Sequence, residues 1–81
     1  MEKENLFSKE SYLEYRTRIR KLQEKAPEGA EITSTLPGME DGIATKKGRV
    51  WTPRFEGGYK FTDGLEIVSG LTLEEAITCL K

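Results

Sequence analysis

Residues 42–69 read GIATKKGRVWTPRFEGGYKFTDGLEIVS, and the way their side chains alternate decides the fold. "GIATKK" and "RVWTPRF" are short extended runs that meet across Lys47-Gly48, where glycine supplies the positive φ of a hairpin turn. "EGG" breaks the next pair, and "YKF" leads through "TDG" into "LEIVS". Successive side chains on a strand point to opposite faces, so Trp51 and Phe55 share one side, as do Tyr59 and Phe61, and Leu65 and Ile67. These six are expected to point inward together, as the buried side of an antiparallel meander. Pro53 cannot donate to a ladder, which puts its strand at an edge or makes it bulge there.

On the N-terminal side, residues 8–26 (SKESYLEYRTRIRKLQEKA) carry Tyr12, Tyr15, Ile19, Leu22 and Ala26 at spacings of three and four, one apolar helical stripe. Two N-caps compete. Ser8 would set Phe7 and Tyr12 at the positions of a hydrophobic staple, and Ser11 would form a capping box with Glu14. Ser8 is preferred because the staple covers Phe7. Pro27 ends the helix. Leu13 points roughly 150° away from the stripe, near Arg16 and Arg20. Ile32–Leu36 suits a short strand, and "PGMEDG" (37–42) reads as a turn or exposed loop where motion and an exposed Met39 are expected. At the other end, "TLEEAITCLK" is a short helix with a Thr72–Glu75 capping box, an apolar face of Leu73, Ala76, Ile77 and Leu80, and Cys79 on its flank.

Together these segments predict a single small α+β domain over residues 1–81: an N-terminal helix, a three- to four-stranded antiparallel meander and a short C-terminal helix, with both helices on one face of the sheet. A chain of 81 residues builds at most one core. Hydrophobic residues make up 36% and charged residues 33%, lean for a globular chain, but the apolar residues are periodic. Thirteen basic and 14 acidic side chains leave a net charge of −1, so any electrostatic function must come from local patches. With one cysteine and no histidine, neither an internal disulfide nor a conventional zinc site can form. The opening MEKENLFSKE lacks the apolar core of a signal peptide, and no run is long enough for a membrane span; a cytosolic protein is expected.

Cations form the main candidate features. Lys46, Lys47, Arg49 and Arg54 fall in the hairpin, with no acid from Gly42 to Phe55. Arginine grips phosphate or carboxylate through paired hydrogen bonds. An exposed Trp51 would add base stacking, but the alternation assigns it to the core, leaving a solvated basic rim as the plainer explanation. Arg16 and Arg20 share a flank of the first helix one turn apart, while Arg18 has Glu14 as a favourable i to i+4 partner. Glu40 and Asp41 show no calcium-loop spacing and no opposed carboxylate, so solvent exposure is expected for them. Cys79 has no activating base. No nucleotide-cradling glycine motif occurs, and no catalytic residue, metal or cofactor is implied.

The expected function is therefore that of a small non-enzymatic binding protein, an inhibitor or adaptor that occupies a surface on a larger protein or ribonucleoprotein. Inhibitors encoded by phages and mobile elements are one group of this kind. Its contact residues would be Leu13, Arg16, Arg20, Met39, Lys46, Lys47, Arg49 and Arg54. The alternative is nucleic-acid binding through the hairpin 44–55 and the helix arginines. The helix stripe from Tyr12 to Ala26 is open to packing on its own sheet or against another copy, and a membrane partner is not expected.

Overall fold

The computed structural model describes residues 11–81. Helix α1 (Tyr12–Glu24) precedes strands β1 (Glu31–Leu36), β2 (Met39–Thr45), β3 (Gly48–Trp51), β4 (Tyr59–Thr62) and β5 (Ile67–Leu71), and helix α2 (Leu73–Leu80) closes the order. The strands form one sheet in the sequence β1-β2-β3-β4-β5, every neighbour antiparallel, so the expected meander has five strands.

Ser11 is the N-cap of α1. Its backbone is extended, with φ −72° and ψ 161°, and its hydroxyl accepts the Glu14 N–H at 3.2 Å. An extended residue cannot lie inside a helix, so this helix does not start at Ser8; Ser8 and Phe7 themselves lie outside the described residues. Helix α2 carries the expected box, with the Glu75 N–H on Thr72 Oγ1 at 3.1 Å and the Thr72 N–H on Glu75 Oε1 at 2.9 Å.

Two hairpin turns differ from the sequence expectation. Leu36 pairs with Met39 across Pro37-Gly38, and Gly38 has φ 78°, the arrangement that a proline–glycine pair favours in a tight turn. The expected loop 37–42 is thus only two residues long, and Glu40 and Asp41 belong to a strand. Thr45 pairs with Gly48, so the next turn is Lys46-Lys47, and neither lysine has a positive φ. Gly48, which follows the turn, keeps the expected positive φ at 158° and is needed for closeness as well. A Cβ there would strike the Thr62 carbonyl oxygen and sit 2.8 Å from the Phe61 ring.

Both outer strands are irregular. The β1–β2 register shifts between Thr33 and Ser34 and again before Leu36, and the β4–β5 register shifts between Tyr59 and Phe61, beside Gly70 at φ 71°.

The core joins both helices to one sheet face. Leu22, Ile43, Val50, Tyr59, Ala76, Ile77 and Leu80 pack as one buried cluster; Tyr15 and Ile19 are buried as well. Of the six side chains expected inside, Tyr59 is buried and Phe61 packs partly buried against the cluster. The others differ. Ile43 stands opposite Val50, and Val50 opposite Phe61, so this parity faces the helices and Trp51 takes the other side. Phe55 falls beyond the end of β3 and is half exposed. Leu65 sits in the β4–β5 turn and is 90% exposed, and Ile67, opposite Thr62, is 63% exposed. Residues 52–58 break the strand alternation, so the inward parity on one side of them does not carry to the other.

Tyr59 ties the layers together. Its hydroxyl donates to the Arg18 carbonyl at 3.1 Å, and burial raises its pKa above the ordinary tyrosine value. Tyr15 is raised too, by burial first and by the nearby Asp41 charge second. Both phenols hold their protons more tightly folded than unfolded. Their stabilisation is therefore fully present below the unfolded tyrosine value of about 10 and is lost as pH rises from there through the folded values. Denaturant melts are expected to be flat between about pH 7 and pH 9 and to fall above about pH 10. Tyr59→Phe is expected to cost about 1 kcal/mol near neutrality and to make the alkaline decline shallower. An unchanged alkaline slope in that variant would show that Tyr59 does not carry the effect.

Candidate interaction surface

The apolar stripe of α1 is wide enough to bury Tyr15, Ile19 and Leu22 while leaving Tyr12 at its edge, 53% exposed. On that edge the helix faces the β1–β2 hairpin across a groove of about 350 Å³. Arg16, Arg20 and Gln23 line the helix side, Met39 and Glu40 the hairpin side, with Tyr12, Tyr15 and Ile19 also lining it. The Gln23 amide donates to the Glu40 carbonyl at 3.5 Å across one part of it. Met39 comes to line the groove opposite the two arginines because the Pro37-Gly38 turn is tight and β2 starts directly after it.

Arg54 extends this surface. Its guanidinium carbon lies 5.1 Å from the Tyr12 ring centre, 5.5 Å from Tyr15 and 5.1 Å from Phe55, and its Nε is buried without a hydrogen-bond partner. Arg16 lies 5.9 Å from the same Tyr12 ring. One tyrosine ring therefore has two cations beside it, an arrangement in which each gains from the negative ring face. The Tyr12 and Tyr15 rings are themselves 6.4 Å apart and tilted by 45°.

Arg18 explains how the 52–55 segment comes to lie beside α1. Its Nε donates to Thr52 Oγ1 and its Nη2 to the Pro53 carbonyl, both at 2.6 Å. These bonds cross to the end of β3, where the expected Glu14 pairing would have run along the helix. Burial pulls the Arg18 pKa below its usual value. Thr52, fully buried, passes the connection on by donating to the Gly58 carbonyl at 3.0 Å.

The other candidate residues separate. Leu13 is 74% exposed and stands three residues before Arg16, on the flank it shares with Arg16 and Arg20. Lys46 and Lys47 are exposed in their turn, beside Pro27, Leu80 and Lys81, past the C-terminal end of α1. Arg49 is on the sheet face that no described helix covers. There its guanidinium lies 4.9 Å from the Trp51 ring, so Trp51 is half-buried under an arginine and not in the core.

Arg49 is also held from the side. Its Nε donates to Thr33 Oγ1 at 2.8 Å and its Nη2 to Asp41 Oδ1 at 3.2 Å. Asp41 further accepts the Thr35 N–H at 3.2 Å and the Thr35 hydroxyl at 2.6 Å, and it is buried, contrary to the exposed acid expected there. These three donors satisfy both oxygens of the buried carboxylate. Gly42 leaves room for the arrangement, since a Cβ would come within 2.9 Å of Trp51 Cβ and 3.0 Å of Thr33 Oγ1.

Among the described residues the ion pairs are Arg49–Asp41 and Lys60–Glu56, at 3.2 and 3.4 Å. Arg16, Arg20 and Arg54 thus have no carboxylate partner among those residues. Sequence reasoning had not included Tyr12, Tyr15 or Phe55 in the site. The i to i+4 spacing of Tyr12 and Arg16 was a usable signal, while the approach of Arg54 depends on the tertiary fold.

The chain matches no family model, no curated protein and no solved structure. Among the described residues no helix is long and apolar enough to cross a membrane, and no group of three or more His, Cys, Asp or Glu is placed to hold a metal ion.

Proposed function

We propose that this is a small non-enzymatic binding protein that works by occupying a surface on a larger protein, as an inhibitor or adaptor, through the N-terminal part of α1 and the adjoining groove. The observation that carries this reading is the grouping of Arg16, Arg20 and Arg54, without carboxylate partners among the described residues, around exposed Tyr12, Leu13 and Phe55. Arginine and tyrosine dominate the energetics of protein interfaces, and aromatic residues, methionine and arginine are enriched there. The reading places the protein in the cytosol, where its single thiol stays reduced.

Capture from native lysate with surface variants tests it. A partner that survives nuclease treatment should bind wild type and the Lys46→Glu/Lys47→Glu variant alike. Arg16→Glu/Arg54→Glu should weaken capture by at least about 30-fold, the equivalent of roughly 2 kcal/mol. Loss through the lysine pair alone would move the site to the β2–β3 turn and overturn the assignment.

Nucleic-acid binding is the second reading, favoured by the position of Trp51 outside the core beside Arg49 and Lys60 on the uncovered sheet face. It ranks lower because Arg49 already lies against the indole and is itself held by Asp41 and Thr33. Capture abolished by nuclease, with affinity falling steeply in salt, would promote it.

A further inference from the structure

Resting on the protein-binding reading, we infer that the group received at this surface is a carboxylate of an acidic protein segment, set between Arg16 and Arg54 over Tyr12, with a neighbouring apolar side chain entering the groove beside Met39. Arg16 and Arg54 lie 5.9 and 5.1 Å from one ring centre, and no acid among the described residues forms an ion pair with either. An anion arriving beside that ring would find on both arginines the planar donors suited to a carboxylate. Arg20, one helical turn beyond Arg16, is placed for a second acid on the same segment.

The groove defines the other half of the ligand. Its volume of about 350 Å³ lies near the lower end of small-ligand pockets and has room for an aliphatic or aromatic side chain together with part of its own backbone. Ile19 is buried at its helix side and Met39 is half-buried opposite, giving that side chain apolar contact on two sides.

The same wall argues for a protein acid over a nucleic-acid backbone. Glu40 lines the groove, and the whole chain carries a net charge of −1. A duplex presents one charge per about 1.7 Å of its axis and would have to press several phosphates against this acid. One or two carboxylates on a folded or extended segment can meet the arginines and miss Glu40.

The test uses the full chain and a short blocked peptide with glutamates flanking a central leucine, beside the same peptide with glutamine at every acid. Titration is followed through the arginine Nε–H resonances. The acidic peptide is expected to bind at least about tenfold more tightly than its glutamine counterpart, to shift the Arg16 and Arg54 signals, and to weaken with salt. Arg54→Gln and Arg16→Gln should each lower its affinity about tenfold; Arg20→Gln, an exposed substitution with little bearing on folding, should lower it less. Changing the central leucine to serine should weaken binding without removing the arginine shifts.

Equal affinity for the two peptides, binding that leaves the Arg16 and Arg54 signals unshifted, or stronger competition by oligothymidylate than by the acidic peptide would each overturn the inference. Its failure is separable from failure of the parent reading. If Leu13→Asp/Phe55→Asp abolishes partner capture while Arg16→Gln/Arg54→Gln does not, the surface stands and the carboxylate falls. If neither pair affects capture, both fall.

Discussion

Asp41→Ala is expected to lower the stability of this domain by about 3 kcal/mol, measured by urea or guanidinium melts against wild type. The substitution removes the acceptor for the Thr35 amide, the Thr35 hydroxyl and Arg49 at once. Breaking a buried charge pair from one side costs about 3–5 kcal/mol because the remaining groups stay desolvated and unpaired. The lower end applies because the Arg49 side chain is 23% exposed and can recover some water. Against a total of roughly 4–12 kcal/mol for a chain of 81 residues, that is a large share. Asp41→Asn, which keeps an acceptor, should lose less. Melts of the single variants and of Asp41→Ala/Arg49→Ala would give the coupling between the two groups, expected at about 1–3 kcal/mol. A single-variant loss below about 1 kcal/mol would mean that water or a shifted Thr35 replaces the carboxylate.

Gly42→Val should be more damaging still, at or above about 4 kcal/mol, so that little folded protein remains under ordinary conditions. The backbone dihedrals at Gly42 are not the obstacle, since its φ is not positive. The first added carbon is. It would strike the Val50 carbonyl oxygen and crowd Trp51 Cβ and Thr33 Oγ1. Two of these obstacles belong to the β3 main chain and the first atom of its side chain, so relief requires separating β2 from β3. Gly42→Ala meets the same first-carbon clash and is expected to cost about 3 kcal/mol. Gly38→Ala gives the comparison: its space is open and only its φ of 78° is unfavourable, so about 1–2 kcal/mol is expected. Equal losses at the two alanine variants would refute the steric account.

The helices and the overall topology were legible because their signals are local. The stripe from Tyr15 to Leu22, the proline after Ala26 and the Thr72–Glu75 box each act within a few residues. Choosing the inward face of the sheet was harder. Residues 42–51 offer two parities, one with Ile43 and Val50 and the other with Trp51, and side-chain size favours the wrong one. The deciding fact is where the helices land, which no residue in the hairpin states. Asp41 was misjudged for a related reason. Its partners Thr35 and Arg49 are six and eight residues away, and they converge only because β1 and β2 are irregularly paired. At the candidate surface, Arg16, Arg20 and Leu13 could be grouped from helical spacing, whereas Met39, expected exposed in a loop, is half-buried at the start of β2. Lys46, Lys47 and Arg49 were grouped with Arg54 by proximity in sequence. Strand pairing puts Arg49 on one side of the sheet, the lysines in a turn, and Arg54 against α1.

The register shifts in both outer ladders bear on how the molecule behaves in a crowd. Ile32, Leu36, Ile67 and Val68 are exposed on exactly the strands that a neighbouring chain could extend. An evenly spaced row of free amide and carbonyl groups there would template strand after strand into a fibre. Register shifts of this kind bend a strand and interrupt its row of pairing groups, so slow cross-β growth is expected at high concentration despite these greasy borders.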